Sequence, residues 1–74
     1  MTQFDYSKLR GKIREYGTQE MFAEAVGIST VTLSERLNNK SQFTQKEIST
    51  AVEILNISPD EIPTYFFTPK VKET

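Results

Sequence analysis

Five residues suited to cap a helix N-terminus, Asp5, Thr18, Ser29, Thr44 and Ser58, each open a stretch in which apolar side chains recur every three or four positions. Such a side-chain oxygen accepts a first-turn backbone N–H that otherwise has no partner. Each cap follows the last after about a dozen residues, so no helix exceeds about three or four turns. The chain is therefore expected to be all-α, built from five short helices that bury their stripes against one another.

The first helix is expected at roughly 6–16, with Asp5 as cap, Tyr6, Leu9, Ile13 and Tyr16 inward, Phe4 and Leu9 spaced as a hydrophobic staple, and Gly17 as stop. The second follows Thr18, turns Met21, Phe22, Ala25 and Val26 inward and ends at Gly27. The third follows Ser29, with Leu33 and Leu37 inward and Thr30, Val31, Ser34 and Glu35 outward. After a polar loop at 38–42, Thr44 and Glu47 form a capping box inside a Phe43–Ile48 staple, which predicts a helix at 45–55 with Ile48, Ala51, Val52 and Leu55 inward and Asn56 as a left-handed stop. Ser58, Pro59 and Glu61, between Ile57 and Ile62, start a last helix of one or two turns. Thr64–Thr68, aromatic and bounded by Pro63 and Pro69, is compatible with a strand that has no partner in this chain, or with Phe66 and Phe67 closing the core or forming a dimer seam. One domain over 1–74 is expected, with its folded core at about 4–67 and a flexible polar tail at 70–74.

The chain has 74 residues and neither Cys nor His. Disulfides, thiolate nucleophiles, imidazole bases and the commonest metal ligands are thereby excluded. No enzymatic activity, cofactor or metal is expected. No apolar run approaches the ~18 residues of a membrane span, and Met1–Asp5 has no signal-like pattern, so a cytoplasmic protein without a membrane partner is expected.

The segment 18–37 combines Gln19 at a helix start, a small Ala23 where two helices approach, Gly27 at a sharp turn and Leu33 as a buried anchor. It resembles the helix-turn-helix of the lambda-type repressor and Cro family, with Arg36 where that family places a second buried hydrophobe and Leu37 as the substitute. The resemblance implies a five-helix, lambda-repressor-like DNA-binding domain. The strings Phe4–Gly11, Gly17–Glu20 and Ile62–Phe67 further resemble small phage and prophage regulators, some of which are modulators of repression that bind a phage repressor rather than an operator.

The resemblance implies a regulator of a lysogeny switch, with two possible partners. For a Cro-like operator binder, with affinity supplied by homodimerisation on double-stranded DNA, the third helix enters the major groove. Thr30, Val31, Ser34 and Glu35 then face bases, Thr18, Gln19, Arg36, Asn38, Asn39 and Lys40 approach the backbone, and Ser29, at the start of the same helix, belongs to the binding face. For an anti-repressor, Glu20, Glu24 and Glu35 complement the basic DNA-reading face of a cognate repressor. Base-rate reasoning from the family leads to the operator, whereas charge leads to the anti-repressor. Residues 1–17 carry +2, 18–40 carry −1, 41–62 carry −3 and 63–74 carry +1. An acidic reading region forfeits counterion release, and no Arg or Lys is placed for bidentate contact with guanine.

Overall fold

The computed structural model describes residues 3–71. Among these residues the order is α1 (Ser7–Tyr16), α2 (Gln19–Val26), α3 (Thr30–Leu37), α4 (Gln45–Leu55), a single 3-10 turn (Pro59–Glu61) and α5 (Ile62–Phe66). None of these helices is long and apolar enough to cross a membrane.

Local side-chain chemistry sets most of the helix starts. Thr18 accepts the Met21 N–H, Ser29 that of Thr32 and Thr44 that of Glu47, while Glu47 reaches back to the Thr44 N–H and completes a capping box. Each such cap contributes about 1 kcal/mol. Two starts differ from the sequence expectation. Asp5 does accept the Ser7 N–H at 2.9 Å, but α1 begins one residue later than a helix capped by Asp5 would, with the Tyr6 carbonyl taking the Arg10 N–H. The Ser58 hydroxyl bonds the Glu61 carboxylate rather than a backbone N–H.

Three helices end alike. Gly27, Asn39 and Asn56 have φ of 91°, 62° and 58°. In each case the next N–H, from Ile28, Lys40 or Ile57, reaches back over a full turn to Ala23, Glu35 or Val52. These are Schellman ends, which need a left-handed residue that Gly supplies freely and Asn tolerates. Gly17, by contrast, has an extended backbone at φ 161°.

Leu9 and Ile13 of α1, Phe22 and Ala23 of α2, Leu33 and Leu37 of α3, Ala51 and Leu55 of α4, and Phe66 of α5 converge on one core with Tyr6 and Ile57. Phe43 joins two of them edge-to-face, at 5.5 Å from the Tyr6 ring and 5.4 Å from the Phe66 ring. The stripe of α2 differs from expectation: Phe22 and Ala23 are buried, whereas Met21 is 52% exposed and Ala25 also faces solvent. Tyr16, expected inward, is likewise exposed at the end of α1, with its ring 6.1 Å from Phe22.

Residues 64–66 belong to α5 rather than to a strand. Pro63 falls in the first helical turn, where its missing N–H costs nothing, and Phe66 is buried. Beyond α5 the chain returns to its beginning. Asp5 N–H donates to the Thr68 carbonyl at 2.7 Å and Lys70 N–H to the Gln3 carbonyl at 2.9 Å, around an isolated antiparallel bridge between Phe4 and Pro69. The polar tail expected from residue 70 is therefore still tied down at Lys70, and residues 72–74 of it lie outside the described residues.

Candidate partner-binding face on α2 and α3

Ala23 is 1% exposed and Leu33 fully buried, so α2 and α3 meet through one small and one large apolar side chain across the Gly27 turn. Their packing turns Gln19, Glu20 and Glu24 of α2 and Thr30, Val31 and Glu35 of α3 to solvent. Val31 is 70% exposed, an apolar contact point among these polar side chains, whereas Met21, 52% exposed, lies beside Gly17 at the start of α2.

Of the remaining residues singled out from the sequence, Lys40 is exposed, and the others make bonds within the fold. The Thr18 and Ser29 hydroxyls cap α2 and α3, and Ser29 also donates to the Thr32 hydroxyl at 2.9 Å. Half-buried Ser34 offers its carbonyl to the Asn38 amide at 2.9 Å. Asn38 accepts from Arg10, which also bonds the Leu37 carbonyl at 3.2 Å, so a cation from α1 covers the C-terminal end of α3. Asn39 clamps the backbone of Phe4 from both sides, its Oδ1 accepting the N–H and its Nδ2 donating to the carbonyl, each at 2.9 Å.

Arg36, expected to swing toward a nucleic-acid backbone, is turned inward. Its Nε lies 3.0 Å from Glu47 Oε1 and its second terminal nitrogen 3.3 Å from Oε2, while the first donates to the Ser41 hydroxyl. The two side chains are only 17% and 12% exposed. The bond from Arg36, aided by the Thr44 N–H and hydroxyl, holds the Glu47 carboxylate below its ordinary range. The pair bolts the end of α3 to the start of α4. No local sequence rule connects positions 36 and 47, which meet only once both helices are packed.

With Arg36 neutralised, Lys40 alone balances Glu20, Glu24 and Glu35 among the charged groups of 18–40. This exposed face is mainly acidic, with Val31 as an exposed apolar side chain on it. Among the described residues no group of three or more carboxylates converges as a metal ion would require.

Among the described residues this is a small all-α domain of five helices with one exposed, mainly acidic face, and comparison with known proteins narrows the class. The chain belongs to the family described as "Protein of unknown function (DUF739)", which matches residues 1–69. The fold is similar to the solution structure of the modulator of repression (MOR) of the temperate bacteriophage TP901-1 from Lactococcus lactis. The TM-score is 0.76 at 48% identity, covering 93% of this chain and 95% of that one. Comparison with curated proteins finds no match. These findings fall on the modulator-of-repression side of the resemblance drawn from the sequence, not on the lambda-type repressor and Cro side.

Proposed function

We propose that this chain is a phage- or prophage-type regulator of a lysogeny switch and acts as an anti-repressor. In this reading α2 and α3 form a helix-turn-helix that covers the DNA-reading face of a cognate repressor. The observation that carries it is the 48% identity, over nearly the whole length of both chains, to a phage modulator of repression. The α2–α3 face supports it physically. Glu20, Glu24 and Glu35 complement a basic surface, Val31 supplies apolar contact, and Arg36 is withdrawn from any phosphate. Cro-like operator binding, the leading expectation from the sequence, gives way to its alternative. The mechanism is steric and electrostatic, with no catalysis, no cofactor and no need for a homodimer.

The test is a fluorescence-anisotropy titration of the cognate repressor on a labelled operator duplex, at about 50 and about 200 mM salt, with and without this protein. The protein is expected to release repressor from the duplex. Reversing one charge, Glu35→Lys, is expected to weaken that release by about tenfold or more while leaving the thermal midpoint unchanged. Salt-steep, sequence-specific binding of the duplex by this protein alone would overturn the proposal in favour of an operator binder.

A further inference from the structure

A second surface shares no residue with the α2–α3 face. Between α4 and α5 lies an open groove of about 400 Å3 lined by Ile48, Ser49, Val52, Glu53, Ile62 and Phe67, among others. Ile48, Val52 and Ile62 are half-buried and rest on the core, so they form a supported apolar floor. Phe67 is 47% exposed, its ring held edge-on by Phe4 at 5.8 Å between centroids.

Acidic side chains line the groove or adjoin one of its lining residues in sequence. Glu53 lines it, and Asp60 and Glu61 sit exposed on the 3-10 turn that leads into Ile62. Among the described residues Arg36–Glu47 is the only ion pair, so these three carboxylates have no cationic partner. Lys46 is the one cation in residues 41–62.

We propose that the α4–α5 groove docks an amphipathic helix of a partner protein. The apolar stripe of that helix rests on Ile48, Val52, Ile62 and Phe67, and its Lys or Arg side chains face Glu53, Asp60 and Glu61. The groove walls are helices whose backbone groups are already bonded, so an extended peptide would find no main-chain partners there, whereas a helix brings its own satisfied backbone. A second copy of this chain is a poor occupant. Groove against groove would oppose the same carboxylates, and α1, the basic helix of this chain, spends its apolar stripe of Leu9 and Ile13 in the core. The proposal stands independently of the anti-repressor reading.

The experiment titrates 15N-labelled protein with a synthetic helix-forming peptide of about 14 residues, somewhat longer than α4. The peptide carries Leu at helical spacing with Lys and Arg flanks; a control peptide carries Glu at the flanking positions. Amide shifts are expected to concentrate at residues 48–53 and 62–67, with the control binding about tenfold more weakly or worse. Ser49→Arg, at an exposed helical position, obstructs the groove and is expected to lower affinity about tenfold with unchanged helical circular dichroism. Glu53→Lys is expected to reduce the preference for the basic peptide. Three results would overturn the proposal: no shifts at about millimolar peptide or shifts elsewhere, equal binding of both peptides, or groove amides that broaden with protein concentration alone while the sedimenting mass doubles, which would assign the groove to a second copy.

Discussion

The outer face of α3 and the junction between α3 and α4 are adjacent in sequence and alike in composition, yet they spend their polar groups differently. Thr30, Val31 and Glu35 stand in solvent, without a side-chain hydrogen bond or ion pair among the described contacts. Arg36, Asn38, Asn39, Ser41 and Glu47, by contrast, are bonded to one another, to α1 or to the Phe4 backbone. The difference teaches that a polar side chain on an exposed helix is available to a partner only if the fold has not already used it. Substitutions at the junction should cost stability and spare binding; substitutions on the face should do the reverse.

The largest effect is expected at Asn39, which holds two bonds to Phe4 and a left-handed backbone at φ 62°. Asn39→Ala loses about 1 kcal/mol for each bond and at least that for forcing alanine into the left-handed region, about 3 kcal/mol together. For a domain of this size the thermal midpoint should fall by about 15 °C. Asn39→Gly keeps the backbone freedom and should recover about a third of the loss. Repressor binding, measured well below both midpoints, should be unchanged. A stable Asn39→Ala variant with lost binding would move Asn39 from the junction to the face.

The next effect belongs to the Arg36–Glu47 bolt. Glu47→Ala removes half of the capping box and leaves a mostly buried guanidinium facing Ser41 alone, a loss of about 2 kcal/mol by thermal or urea unfolding. Glu47→Gln keeps the capping geometry and gives up the charge, so it should lose about half as much. If Glu47→Gln instead matched Glu47→Ala, the charge and not the cap would hold the two helices together.

The helices were legible because their signals are local. Thr18, Ser29 and Thr44 each bond an N–H within three residues, and Gly27 and Asn56 turn where a left-handed residue was available. The phase of α2 was not, because in an eight-residue helix Met21–Phe22 and Phe22–Ala23 satisfy the periodicity about equally and only contact with α4 and α3 decides. The aromatic run at 64–68 carried β-like composition that burial of Phe66 overrode. The residues singled out on α2 and α3 could not be sorted from the sequence into free and committed groups, since the Arg36–Glu47, Arg10–Asn38 and Asn39–Phe4 pairings span 11, 28 and 35 residues. The choice between DNA and protein as partner was legible as a balance of charge and as the resemblance of Phe4–Gly11, Gly17–Glu20 and Ile62–Phe67 to small phage regulators, and the withdrawal of Arg36 tips the charge balance further.

The smallest expected effect is on pH dependence, and it reads the junction without any partner present. Glu47 and Asp5 are held below their ordinary values of 4.5 and 3.8, the first chiefly by its bond from Arg36 and the second by its bonds from the Ser7 hydroxyl and N–H. Lowered carboxylate values mean that the folded state binds fewer protons than the unfolded one, so the stabilisation is present above the ordinary values and is lost as pH falls through the folded ones. The thermal midpoint should therefore fall as pH drops below about 4.5, and Glu47→Gln should flatten the upper part of that fall. Asp5→Asn should flatten only its lower part, and by less, because Asp5 is exposed to solvent. With no His in the chain, no side chain has an ordinary value between about pH 5.5 and 8, and the midpoint should be level there. An acid limb that Glu47→Gln left unchanged would mean that the bond from Arg36 does not hold α3 to α4.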